Sequence, residues 1–306
     1  MSYVSVRTST LRPDTELQFD VYVFFRDCYL KYWSANQSID SGLLEKFKAK
    51  KVKKVFIPEA QEAKYLSYLD AALGQLQKAD LSVTAKGEFA QDTLKQESEN
   101  IGKTLETEEG YRSSESRIHK VVDFMLSEPK ALAGMLASAG LSIDDSAHGS
   151  TASSLALAVA TYSKQLSKEE LTDLAVAGLL HDTALKALGF DVKDDLQSLP
   201  KERRNDFRRH PSAAIEQVAG KKFITARVLR IIEDHEEFGD GLGFPQKKRF
   251  AKLAIDSQIF NLCDAFDHFS ILAGKPAAQC IDAFIEARAE HFDLRLIEIL
   301  EKQIKA

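Results

Sequence analysis

Apolar residues change their spacing twice along this chain. Over the first eighty or so positions they come in short runs rich in aromatic and β-branched side chains: Tyr3 to Val6, Phe19 to Phe25, Tyr29 to Trp33 and Lys53 to Pro58. Such runs predict strands. Arg12-Pro13-Asp14 is a turn signal between the first two, and Gly42 to Lys50 reads as a short helix. Together they predict a small α+β unit with no catalytic constellation. The lysines from Lys46 to Lys54 are expected to form a solvated face, with a binding patch as the alternative.

Helical spacing follows. Ala60 to Leu76 is helical by period. The polar stretch Lys86 to Glu109 keeps only Phe89, Leu94, Ile101 and Leu105 as an apolar stripe. That narrow stripe predicts either a linker helix or half of a homodimer seam. Gly110 and Ser113-Ser114 are expected to interrupt it, before a second helix near Ser116 to Leu136. From Asp144 the pattern is helix after helix: Ser153 to Gln165, Lys168 to Leu185, Lys201 to Val218, Phe223 to Glu237, Leu253 to Ser270 and Pro276 to Lys305. The predicted organisation is mainly α: an α+β accessory unit over 1–82, a helical linker over 83–139 and an all-α domain over 140–306.

Composition narrows the function. The 306 residues are 44% hydrophobic and 28% charged, with a formal net charge of -5. A mildly acidic chain gains little from phosphate attraction, so duplex nucleic acid is not an expected partner. A local basic pocket for a small anionic ligand remains open. Cys28, Cys263 and Cys280 are scattered, which argues against disulfides or a thiolate metal site. No signal-peptide pattern follows Met1 and no run of about 18 apolar residues occurs. The expectation is a cytoplasmic protein.

Candidate chemistry sits in the helical part. His181-Asp182 follows the apolar run Leu174 to Leu180. A buried polar pair needs a partner, either core hydrogen bonds or a metal. Three further histidines, His148, His210 and His235, lie in the same domain, with Glu236 directly after His235. Asp264 interrupts the apolar helix Ile259 to Phe266. Between them, Asp240-Gly241-Leu242-Gly243-Phe244-Pro245 permits a tight turn. Imidazole and carboxylate donors suit iron, manganese or zinc.

The order His, His-Asp, His, His-x-Glu, Asp-Gly-x-Gly-aromatic-Pro, Asp resembles the HD-GYP family, a branch of the HD phosphohydrolases that hydrolyse cyclic di-GMP. The resemblance runs from about Asp144 to the end, and His291-Phe292-Asp293-Leu294 resembles the family's final helix. It implies a C-terminal all-α HD-GYP helical bundle, joined by the linker to the N-terminal α+β domain. It implies two divalent metal ions, iron or manganese, held by His148, His181, Asp182, His210, His235, Glu236 and Asp264, with Asp182 bridging. Asp182 and Lys186 are the catalytic candidates it supplies; Gly243, Phe244 and Lys275 are the substrate-binding ones. The implied reaction is metal-assisted hydrolysis of a cyclic dinucleotide or another phosphoester. The loop Asp240 to Pro245 would shape the pocket mouth or meet a signalling protein.

The departures from the family are specific. Glu236 stands where the family often has histidine. Asp144 is shorter than the glutamate that holds a third metal in some members. Leu185 replaces a phosphate-contacting lysine, and Lys186 follows one residue, or about 100° of helix, later, unless the helix ends first, as the following Gly189 allows. Phe244 lacks the tyrosine hydroxyl. Lys275-Pro276 is the remnant of a basic segment. These leave open a rival, a catalytically weak ligand-binding or protein-interaction module. His119 and His291 are expected at the surface, and His268 beside Asp264 as a support for a ligand.

Overall fold

The computed structural model describes residues 2–13, 15–140 and 147–305, with backbone alone at 133 and 137–140. Asp14 of the predicted turn and Asp144, weighed above for a third metal, lie outside the described residues.

The N-terminal unit is a four-stranded antiparallel sheet in the order β1-β6-β3-β4, from Tyr3–Arg7, Lys54–Pro58, Val21–Phe25 and Cys28–Trp33. A small pair, β2 (Glu16–Leu17) and β5 (Gln37–Ser38), lies beside it. The β3–β4 hairpin turns through Arg26 and Asp27, both at positive φ, as the twist of a tight hairpin requires. Helix α1 (Ser41–Ala49) starts where the Asp40 carboxylate accepts from the Gly42 amide at 2.8 Å. With α2 (Glu62–Gly74) it covers Val6, Leu17, Phe19, Val55 and Ile57. The outer strand β4 leaves Tyr29, Leu30 and Tyr32 exposed.

The polar stretch after it is helix α3 (Val83–Thr104), followed by α4 (Glu108–Ser127) and α5 (Lys130–Gly140). Its stripe of Phe89, Leu94 and Ile101, with Leu105 just beyond, is buried inside this chain, so it forms neither a free tether nor a homodimer seam. Helix α3 packs on α4, α5, α6 and α7. Its polar composition is misleading because those groups are buried with partners. Arg117 Nε donates to Glu97 at 2.6 Å, and Ser114 to the same carboxylate at 2.5 Å. Gln91 meets Ser154, and Gln96 accepts from the Arg7 amide at 3.0 Å. The break falls at 105–107, not at Gly110, because Thr107 caps α4; the second break follows at Pro129.

The remaining helices are α6 (His148–Ser163), α7 (Lys168–Leu180), α8 (Lys201–Phe207), α9 (His210–Val218), α10 (Ala226–Asp234), α11 (Ile255–Ala273), α12 (Ala277–Arg288) and α13 (Leu294–Lys305). Helices α6, α7 and α11 pack together at the centre. Most are shorter than the apolar period suggests. Helix α7 stops at Leu180, five residues before the predicted end. The expected helix over 201–218 breaks at Arg208-Arg209, and the one over 276–305 breaks after Arg288. Apolar spacing continues through these turns, so periodicity alone does not mark them. Among the described residues no helix is long and apolar enough to cross a membrane.

Candidate metal centre

Those early helix ends build the site. His181 lies just past the end of α7, His235 just past α10, His210 opens α9 and His148 opens α6. Each ring is oriented through Nδ1. His181 Nδ1 lies 2.8 Å from the Gly178 carbonyl, His210 Nδ1 2.8 Å from that of Phe207, and His235 Nδ1 2.7 Å from that of Ile232. These carbonyls accept only, so Nδ1 carries the proton in all three. His148 Nδ1 instead meets Asp267 Oδ2 at 2.7 Å. All four Nε2 atoms therefore point inward, at one another.

His148 Nε2 and His181 Nε2 are 3.4 Å apart; His210 Nε2 and His235 Nε2 are 2.7 Å apart. Asp264 Oδ1 lies 3.0 Å from the first and 3.1 Å from the second. The two oxygens of Asp182 divide between the pairs. Oδ2 is 3.3 Å from His181 Nε2 and 3.7 Å from His148 Nε2, while Oδ1 is 3.5 Å from His210 Nε2 and 3.6 Å from His235 Nε2. Glu236 Oε1 completes the second pair, 3.6 Å from His210 Nε2. The ligand atoms fall into three overlapping groups, each within a 4.8 Å span.

This donor set fits cations. Two neutral imidazoles that donate through Nδ1 present lone pairs at Nε2, and at 2.7 Å those lone pairs repel unless a positive centre lies between them. Asp264 Oδ1 is buried with no hydrogen bond, an acceptor in want of a partner. Asp267 behind His148 is the carboxylate–histidine arrangement that orients a metal ligand. The donors are nitrogen and oxygen throughout, without a thiolate.

Charge is distributed unevenly over the cluster. Burial opposes a charge on His148, but the Asp264 and Asp267 carboxylates outweigh it and push the imidazole up to about 10. His181 is likewise held well above its ordinary value, against burial, by Asp182 and Asp264. On the other side, burial and the neighbouring His235 push His210 down to about 4. Burial lifts Glu236 to about 7. Protons on the first pair of imidazoles stand where a metal would supply positive charge.

A cleft of about 670 Å³ opens onto His148, His181 and Asp182, and Lys186 lines it. Because α7 has ended, the helical-rotation argument against Lys186 does not apply. Leu185 turns inward to pack with Phe190, Phe207 and Phe244. Lys186 is exposed.

The other substrate candidates are placed differently from expectation. Phe244 is 7% exposed, its ring 5.9 Å from that of His210 at 83°. It backs His210 and leaves little open stacking face. Gly243 is buried where its loop crosses the 236–238 backbone. Lys275 lies beyond the end of α11, eleven residues or about 16 Å along the axis from Asp264, so the fold does not bring it to the cluster.

His291 is buried, contrary to expectation. It contacts Asp240 Oδ2 at 2.6 Å and stacks on Phe238, fastening the 240–245 loop to the last helices. His119 is half-buried against Thr172. His268 is partly buried, with its ring 6.3 Å from that of His148. Sequence reasoning missed Asp267, although it follows Asp264 by three residues and so shares its helix face. It also missed Glu237, which is buried and accepts from the Lys248 amide at 2.7 Å and from that of Gln246.

Comparison with known proteins agrees with this geometry. The family "HD domain" matches residues 128–296. The Cyclic di-GMP phosphodiesterase response regulator RpfG of Xanthomonas campestris pv. campestris (strain 8004) is 28% identical over 143 residues, 44% of this chain. The match spans only 37% of that relative. The solved structure of Bd1817, an HDG"Y"P protein from Bdellovibrio bacteriovorus, superposes with a TM-score of 0.79 at 25% identity, covering all of both chains. The matched family segment is more than half of the chain and contains every inward-facing histidine and carboxylate described above, so this chain belongs to the HD domain family, with the architecture of an HD-GYP protein.

Proposed function

We propose that the chain is a metal-dependent phosphodiesterase of the cytoplasm that hydrolyses a cyclic dinucleotide, cyclic di-GMP being the substrate named for the Xanthomonas relative. The observation that carries this reading is the division of Asp182 between two histidine pairs. One cation would be held by His148, His181, Asp264 and Asp182 Oδ2, the other by His210, His235, Glu236 and Asp182 Oδ1. Three carboxylates among the donors favour iron or manganese. Two bound cations supply an activated water at neutral pH and neutralise phosphoryl oxygens.

The protein's own groups supply position and dryness. Asp267 and three backbone carbonyls fix the imidazoles. Leu185, Phe190, Phe207 and Phe244 form an apolar wall that keeps water from one side of the ligands. Lys186, which lines the cleft, would meet a phosphate of the substrate. Leu242, 73% exposed at the loop tip, is the natural contact for a signalling protein. In this reading 1–82 is an accessory unit and the helices of 83–139 support the hydrolase domain.

The buried Phe244 and the distant Lys275 favour a second reading, in which the metal-bearing chain binds the dinucleotide without turning it over. The deciding experiment is elemental analysis of the purified chain, then iron or manganese loading and an assay on cyclic di-GMP. Product formed by the loaded chain and lost in Asp182→Asn supports hydrolysis. Cyclic di-GMP bound but uncleaved, with Asp182→Asn indistinguishable from wild type in the assay, refutes it in favour of the second reading.

A further inference from the structure

Away from the metal cluster, a cavity of about 590 Å³ lies between the α+β unit and α3. Its volume is within the range of small-molecule sites, roughly 300–1,000 Å³. Its wall combines apolar side chains, among them Leu11, Leu44, Val52 and Phe89, with six basic groups against three acidic ones. That excess is local, because the whole chain carries a net charge of -5.

The basic groups are incompletely paired. Among the described residues, Arg12, Lys51 and Lys53 of the wall form no ion pair, whereas Arg7 is paired with Glu99. The Arg12 guanidinium sits 5.3 Å over the Phe89 ring, and its Nη2 is buried with no hydrogen-bond partner. Arg7 Nε and Thr8 Oγ1, in the same wall, are also buried and unpartnered; Arg7 is only 6% exposed. Buried donors are nearly always satisfied in folded proteins, so these three orphans mark a wall whose polar groups the described residues leave unsatisfied. The lysines of 46–54 thus divide: Lys48, Lys51 and Lys53 line this cavity, while Lys54 pairs with Glu99.

We propose that this cavity binds an amphiphilic organic anion, its carboxylate or phosphate head at Arg12 and Arg7 and its apolar body against Phe89, Leu44 and Val52. Bare inorganic phosphate does not match, because the apolar side chains would face nothing. The binding claim is independent of the hydrolase reading.

The test uses the metal-loaded full chain and 8-anilinonaphthalene-1-sulfonate, an aromatic anion whose fluorescence rises on burial. The expected result is saturable binding with a stoichiometry near one. Octanoate or octyl phosphate displaces the dye and octanol does not, and the more effective of the two names the head group. Arg12→Gln weakens binding about tenfold, the loss of one charge-assisted hydrogen bond. Ala85→Trp, which fills the cavity from the first turn of α3, abolishes it. Phe25→Ser, on the exposed sheet, leaves it unchanged and so separates the site from adhesion to surface aromatics. Dye binding that is absent, that is displaced equally by octanol, or that persists in both Arg12→Gln and a folded Ala85→Trp, overturns the proposal. Should Ala85→Trp fail to fold, calorimetric titration of Arg12→Gln with octanoate and octyl phosphate decides alone.

Discussion

Gly243→Ala is the sharpest perturbation of the loop that closes the metal centre. A Cβ at position 243 would come within 2.5 Å of Glu237 Cα and closer still to Phe238 N and Glu236 O. All three are backbone atoms, so no side chain can rotate away. Phe238 N is the nearest at 2.3 Å, so reaching the 3.0 Å floor of real Cβ contacts means opening the chain there by about 0.7 Å. The Phe244 amide, which donates to the Glu236 carbonyl at 3.0 Å, and the Glu237 carboxylate, which holds the Lys248 amide, both resist that opening. Overpacking of this kind costs about 1–3 kcal/mol. Each kcal/mol lowers Tm by roughly 2–4 °C in a domain of 150–250 residues. The strain falls on the segment carrying His235 and Glu236, so the His210–His235 side should release its metal first. Calorimetry and bound-metal analysis on the same sample test this. A Gly243→Ala protein with wild-type Tm and its full metal complement would refute the reasoning.

Four further outcomes are expected. Asp267→Asn removes the carboxylate behind His148 and should weaken metal binding about 10- to 100-fold, read by competition against a chelating dye; unchanged affinity would show Asp267 to be incidental. Stripping metal with a chelator should lower Tm, since occupancy at a hundred times Kd stabilises by about 2.7 kcal/mol; equal melting curves with and without chelator would count against a folded-state metal site. Glu97→Leu removes the most buried partner of Arg117, leaving it Asp70 at 3.4 Å and Ser113 at 2.7 Å, and should cost about 3 kcal/mol, the low end for a broken buried pair, whereas Glu97→Leu with Arg117→Leu should recover most of it; denaturant titration distinguishes them. His148, with its pKa raised to about 10, makes its pairing with Asp264 and Asp267 fully stabilising in the metal-free chain below the ordinary histidine value, and this contribution fades as pH rises through about 10. A metal must displace that proton, so its affinity should fall as pH is lowered, with proton release visible by calorimetry in buffers of different ionisation enthalpy.

His181-Asp182 and Asp264 were legible as polar groups set in apolar runs, whose burial demands a partner, whereas His148, His210, His235 and Glu236 were legible only through their order along the chain, which resembles the HD-GYP family. His148, His181, Asp182, His210, His235, Glu236 and Asp264 all converge. What was not legible depends on contacts far apart in sequence. Helix α3 reads as a solvated linker because Gln91, Glu97 and Gln96 are polar, yet Ser154, Arg117 and Arg7 wait for them across the fold. Phe244 reads as an exposed aromatic of a glycine-rich loop, and only the position of His210 shows that the ring turns inward. His291 looks like a surface residue until Asp240, fifty-one positions earlier, is placed beside it. Gly189 signalled that this helix ends early, but not that α7 already stops at Leu180, which leaves Leu185 in an apolar cluster and Lys186 lining the cleft.

One helix borders both chambers of this protein. Helix α3 contributes Phe89 and Asp92 to the front cavity, and Ser98 and Ile101, about two to three turns further on, to the cleft over His148 and His181. A rod shared in this way cannot shift at one end in private. An occupant of the front cavity that displaced this helix would change the cleft's hold on a ligand, and by linkage a ligand in the cleft would change the front occupant's affinity by the same factor. Two guests that never touch would thus be coupled through a single piece of backbone.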